Sequence, residues 1–185
     1  MHQSFQFRRL DVAAFAQQEG VLEGQESLQK YERLALDGQA LEPGLTINWR
    51  AQGEQRSAVD ASVRPALHLC VQADLPLTCQ RCMAPVVVPV RVDRHLVFVP
   101  DEATAAALDD ASEDDVLELT PNLDLHALIE DELLMALPLV PRHDRCPGEV
   151  NLLAQDEGFE AAGGDKPHPF AALAALKGRK PDESR

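Results

Sequence analysis

PVVVPVRVDRHLVFVP, Pro85 to Pro100, decides the fold. It is dense in β-branched residues, and Val90, Val92, Arg94, Leu96 and Phe98 alternate with Arg91, Asp93, His95 and Val97. A period of two places the first set on one face of a strand and the second on the other. Pro89 interrupts the run and predicts a bulge or an edge. Upstream, LTINWRAQGEQR (45–56) and SVRPALHLCV (62–71) read as further strands, the first broken by Gly53 and the second starting near Pro65, as an edge strand tolerates. Cys70 falls in an alternating apolar run and is expected in the core. VLELT (116–120) alternates as well.

Helices are expected on either side of these strands. LDVAAFAQQ and ESLQKYERLALD predict two short N-terminal helices, the second with Leu28, Tyr31, Leu34 and Ala35 at helical spacing. PNLDLHALIEDELLMALP (121–138) predicts one amphipathic helix capped by Asp124 and stopped by Pro138. Its apolar face is Leu125, Leu128, Ile129, Leu133 and Ala136, and Glu132 shares that face. The fold class is therefore α+β, with a mainly antiparallel sheet. Connections between neighbouring strands look too short for crossover helices, which disfavours parallel pairing. Residues 1–176 are read as one domain, 100–115 as a mobile acidic loop within it, and 177–185 as a frayed basic tail.

The formal net charge of −14 is uneven: residues 101–137 hold twelve Asp and Glu and no Lys or Arg. Residues 61–100 and 161–185 are small basic islands. Such a balance argues against bulk nucleic-acid binding, which needs a continuous cationic surface, but allows a local contact or a basic protein partner. No apolar run approaches the roughly 20 residues that span a bilayer, and no secretory h-region opens the chain, so a cytoplasmic protein without a membrane partner is expected.

LTCQRCMAP (77–85) supplies Cys79-x-x-Cys82, and His143-x-x-Cys146-Pro-Gly follows some sixty residues later. Together they count as a Cys₃His set for structural zinc, with Gly148 available for a tight turn. Reduced cysteines packed on a strand connection are the competing reading. A redox pair needs a helix N-terminus after the first cysteine, and a strand follows instead. Walker A, G-x-S-x-G, H-E-x-x-H and G-x-G-x-x-G are all missing. Glu130, Asp131 and Glu132, with His126, could hold a divalent ion for RNA cleavage, but adjacent helix residues diverge. A solvated acidic face is the simpler account.

Three stretches in succession, CQRCMAP (79–85), DLHALIEDELLMALPLVPRHDRC (124–146) and KPHPFAALAALK (166–177), resemble the YceD family of large ribosomal RNA subunit accumulation proteins. The resemblance implies a bacterial, non-enzymatic factor for the synthesis, processing or stability of 23S rRNA and for large-subunit assembly. It brings no catalytic residues. Relatives carry a second cysteine pair where this chain has His143 and Cys146, so a metal site here would be structural. The expected partner is a ribosomal protein or assembly factor attracted to the acidic segment. The alternative is direct contact with the 23S rRNA precursor through Arg81, Arg91 and Arg94, joined by Lys177, Arg179 and Lys180. Glu130, Asp131, Glu132 and Phe170 are the other candidate contact residues. Glu132 is expected either to pair with Arg81 or to be exposed.

Overall fold

The computed structural model describes residues 5–34, 44–57 and 62–148. Five strands follow one another in space as in sequence: β1 (Val21–Ser27), β2 (Thr46–Ser57), β3 (Val63–Thr78), β4 (Pro85–Val99) and β5 (Asp115–Glu118). The first four are antiparallel neighbours, so the architecture is the expected α+β with a mainly antiparallel sheet. The last pair departs from expectation, because β4 and β5 run parallel, Val97 opposite Val116. A parallel return needs a crossover of about a dozen residues. The segment read as a mobile loop supplies it, as helix α2 (Glu102–Asp109).

That helix forms because Asp101 caps it, accepting from Thr104 N–H at 2.8 Å, and because its alanines are good helix formers. Its one large apolar side chain, Leu108, is partly buried on the docking face. Ala105 is buried against Val99 and Val116 in a small second core.

The main core lies on the other face of the sheet. There α1 (Val12–Gln17) and α3 (Leu125–Met135) bury Val12 and Phe15, and Leu125, Ile129 and Leu133, against Ile47, Leu67, Leu69, Val71, Leu96 and Phe98. Each of the three fully buried α3 side chains contributes roughly 2 kcal/mol. Leu125 and Ile129 answer to the expected stripe, whereas Ala136, assigned to the same stripe, is exposed at the frayed end. Asp124 caps α3 as expected, accepting from His126 and Ala127 N–H.

Helix α1 is as expected, but the second N-terminal helix is not there. Its first residues, Glu26 and Ser27, close strand β1, and two 3₁₀ turns follow, Leu28–Lys30 and Glu32–Leu34. Leu28, Tyr31 and Leu34 are all buried. Their three-residue spacing suits a 3₁₀ repeat, so the apolar stripe is real and only its helix type was misassigned. Ala35 lies outside the described residues.

Glycine and proline mark where chains approach or stop pairing. Gly53 does not break β2; a Cβ there would sit 2.5 Å from the Phe15 carbonyl oxygen, so glycine lets α1 cross close over the strand. Pro65 lies one residue before the β3 to β4 ladder begins at Ala66. Beyond Ala73, β3 has no β2 partner, and β4 meets β5 only from Leu96 onward. Residues 74–78 and 85–89 thus form a two-stranded ribbon, where Pro76 and Pro89 each have a free ladder edge. The C-x-x-C is its tip.

Cys70 is a further correction. It is in register with Asp93 on the outer face of the sheet, with His68 and Gln72 beside it, while Leu69 and Val71 face the core. The strand alternation that looked apolar throughout puts the cysteine on the polar side.

Candidate metal centre

At the ribbon tip the chain reverses over Gln80 to Ala84. Cys79 N–H donates to Ala84 O at 2.9 Å and Met83 N–H to Cys79 O at 2.8 Å, with Met83 in the left-handed region at φ 59°. The segment after α3 closes over this turn, because Gln80 N–H donates to Pro141 O at 2.8 Å. One donor atom each from Cys79, Cys82, His143 and Cys146 then lies within 4.8 Å of every other.

The spacing can be tested against zinc. Bond lengths of about 2.3 Å to sulfur and 2.0 Å to nitrogen put tetrahedral S···S edges near 3.8 Å and S···N edges near 3.5 Å. Cys79 and Cys146 sulfurs are 4.0 Å apart, and Cys82 Sγ is 3.5 Å from His143 Nδ1. His143 Nε2 lies 2.9 Å from the Pro85 carbonyl, which can only accept. The ring proton therefore belongs on Nε2, and Nδ1 turns its lone pair toward the thiols.

Electrostatics point the same way. Burial pushes the Cys79 thiol up, but the backbones of His143, Arg81 and Cys82 hydrogen-bond its sulfur and outweigh burial, bringing the pKa down to about 5. For Cys82 the Ala84 backbone pulls downward, yet burial and the neighbouring Cys146 and Cys79 win, and its thiol is raised. Clustered thiols cannot all ionise together without a cation among them. Arg81 donates its Nε–H to Cys146 Sγ at 3.0 Å and a terminal N–H to His143 O at 2.9 Å, and the sulfur raises the guanidinium pKa further. All four side chains fit a structural ion, with Arg81 bracing the two halves.

The other candidate residues are not one surface. Arg91 is exposed on the outer face of β4, and Arg94 is on the opposite face. There Arg94 Nε is 3.7 Å from Glu132 and 3.9 Å from Asp115. No ion pair joins Glu132 to Arg81 among the described residues, and Glu132 is buried rather than exposed. Burial raises its pKa, against the opposing pull of Arg94.

The solvated acidic face on α3 is also corrected. Glu130 is buried and accepts from the Arg33 backbone N–H and from its Nε, both at 2.8 Å, while Arg33 reaches Asp131 at 2.6 Å. Arg33, 97 residues away in sequence, was not among the expected site residues. Phe170, Lys177, Arg179 and Lys180 lie outside the described residues.

A mainly antiparallel sheet, three helices packed on it and a thiol-imidazole cluster at a hairpin tip define a small α+β protein. The chain belongs to the YceD family: the model described as "Large ribosomal RNA subunit accumulation protein YceD" matches residues 67–177. A relative from Haemophilus influenzae bearing the same description is 36% identical over 110 residues, 58% of this chain and 62% of the relative. The chain thus spans less than two thirds of that relative's length. No solved structure matches.

Proposed function

We propose that the chain is a non-enzymatic biogenesis factor that supports 23S rRNA accumulation and large-subunit assembly in the cytoplasm by binding a basic ribosomal protein or assembly factor. One observation carries the choice of partner. Glu102, Asp109, Asp110, Glu113, Asp115 and Glu118 are all exposed on α2, β5 and the turn between them, in a window without Lys or Arg. Complementary charge of this kind accelerates association and makes it sensitive to salt.

Direct rRNA contact is less well supported, because among the described candidates Arg81 is engaged at the clasp and Arg94 is paired beside Glu132, which leaves Arg91 on the outer face. Structural zinc held by Cys79, Cys82, His143 and Cys146 would cross-link the hairpin to the segment after α3. Among the described residues no helix is long and apolar enough to cross a membrane.

A low-salt pull-down from lysate with the full chain tests the reading. Basic large-subunit proteins or assembly factors should be recovered and lost on raising the salt. They should also be lost with the triple variant Asp109→Asn, Asp110→Asn, Glu113→Gln. Recovery of none from wild type would overturn the reading.

A further inference from the structure

The outer face of the sheet carries a second group of donor side chains, remote in sequence from the Cys₃His motif. On β3, His68 and Cys70 are two residues apart and so share a face. On β4, Asp93 is in register with Cys70 and His95 with His68. His68 Nε2 is 2.7 Å from Asp93 Oδ1 and 3.4 Å from Cys70 Sγ, and that sulfur is 3.8 Å from the same carboxylate oxygen. His95 stacks on His68 with centroids 4.1 Å apart and planes at 11°. Glu54 on β2 is 3.5 Å from His95 Nδ1, a buried nitrogen without a hydrogen-bond partner.

We propose that His68, Cys70 and Asp93 form a second divalent-metal site, of the zinc class, with one coordination position left for water or an exogenous ligand. Tetrahedral zinc puts N···O edges near 3.3 Å and edges to sulfur near 3.5 Å. The two sulfur edges, 3.4 and 3.8 Å, are already within a few tenths of that value. Only the His68 to Asp93 contact must widen from 2.7 Å, as an ion takes the place of the shared proton.

The stack decides which imidazole takes part. Lone pairs in two nearly parallel rings lie in separate planes and cannot converge on one ion, so His68 binds, and the stacked His95 ring fixes its plane. The thiol selects against magnesium and calcium, which prefer all-oxygen shells. Three protein ligands on adjacent strands, with Asp93 76% exposed, describe an open and exchangeable site rather than a closed one. Burial and the neighbouring Asp93 push the Cys70 thiol up, against the pull of Arg50, in register with it on β2, so an ion at the site has to displace the thiol proton.

The site is independent of the ribosomal reading and of the clasp. Metal-free full chain, without a histidine tag, is titrated with zinc by equilibrium dialysis and with cobalt by visible absorption. Two equivalents are expected for wild type, the weaker with a one-thiolate cobalt spectrum. Cys70→Ser and Asp93→Asn should each weaken that equivalent by more than about 100-fold, beyond the roughly 10–100-fold that outer-shell changes cost. Asp93→Asn sits on the surface and should leave the fold intact.

The double variant Cys79→Ser, Cys82→Ser should keep the weak equivalent. A wild type that binds one ion, lost in Cys70→Ser but kept in the double variant, upholds this site and removes zinc from the clasp. Binding that is unchanged by both Cys70→Ser and Asp93→Asn, or no binding at all, overturns the proposal.

Discussion

Two glutamates two residues apart on α3, Glu130 and Glu132, are equally buried, at 7% and 8% exposure, yet their substitution should act in opposite directions. Glu130 accepts two hydrogen bonds at 2.8 Å from Arg33, one from its backbone N–H and one from its Nε. Glu130→Ala strands that donor and should cost about 2 kcal/mol, the scale of a charge-assisted hydrogen bond. The half-exposed guanidinium adds little, since it can turn to water.

Among the described residues Glu132 pairs only with Arg94, at 3.7 Å, and burial raises its pKa. A carboxyl whose pKa rises on folding binds an extra proton in the native state, so its contribution to stability declines as pH climbs from the ordinary value to the raised one. Glu132→Gln should therefore leave stability unchanged or raise it by up to about 1 kcal/mol at neutral pH, because it removes a poorly compensated charge. Below the ordinary carboxylate range the gain should vanish. Urea unfolding followed by the single tryptophan, Trp49, which is buried in the core, reads both variants. Equal losses for Glu130→Ala and Glu132→Gln at neutral pH would refute the reasoning.

Other substitutions probe separate contacts. Gly53→Ala forces a Cβ against the Phe15 carbonyl and should destabilise the fold by about 1–3 kcal/mol in the same assay, the usual cost of overpacking. Asp101→Ala removes the cap of α2, and hydrogen exchange should quicken at the amides of 104–108 while those of α3 keep their protection. Acidification should mimic it, because the Thr104 N–H holds the Asp101 pKa below its ordinary value, and the cap is lost as pH falls through that lowered pKa. With zinc held at the clasp as proposed, chelation should make Cys79, Cys82 and Cys146 reactive to a thiol reagent, and His143→Ala should have the same effect without chelator.

Strand β4 and helix α3 could be read from sequence because each carries large apolar side chains at its own period, β4 being buried on one face as far as His95 and on both from Leu96 to Val99. The same rule misled where one period served two structures, since Leu28, Tyr31 and Leu34 fit α and 3₁₀ spacing alike. Helix α2 gave no apolar signal because alanine is its buried residue, and β1, with exposed positions alternating with partly buried ones at the sheet edge, gave almost none. The Cys₃His set could be counted in sequence, and what closes it, the Pro85 carbonyl on His143 and Arg81 on Cys146, needed the ribbon and the post-α3 segment together. His68, Asp93 and Glu54 meet only through strand register, which sequence spacing does not encode. Arg33 and Glu130 likewise meet across 97 residues.

The proposed function requires the chain to act on large-subunit assembly through a basic protein partner at the α2 and β5 end. Gradient sedimentation of full-length chain with large-subunit precursors, before and after Asp109→Asn, Asp110→Asn and Glu113→Gln, tests it most directly. Wild type should migrate with the precursor fraction and with a basic protein that crosslinks to α2, and the variant should remain at the top of the gradient. Co-migration that survives the substitutions but disappears on ribonuclease treatment would contradict the account and identify rRNA itself as the contact.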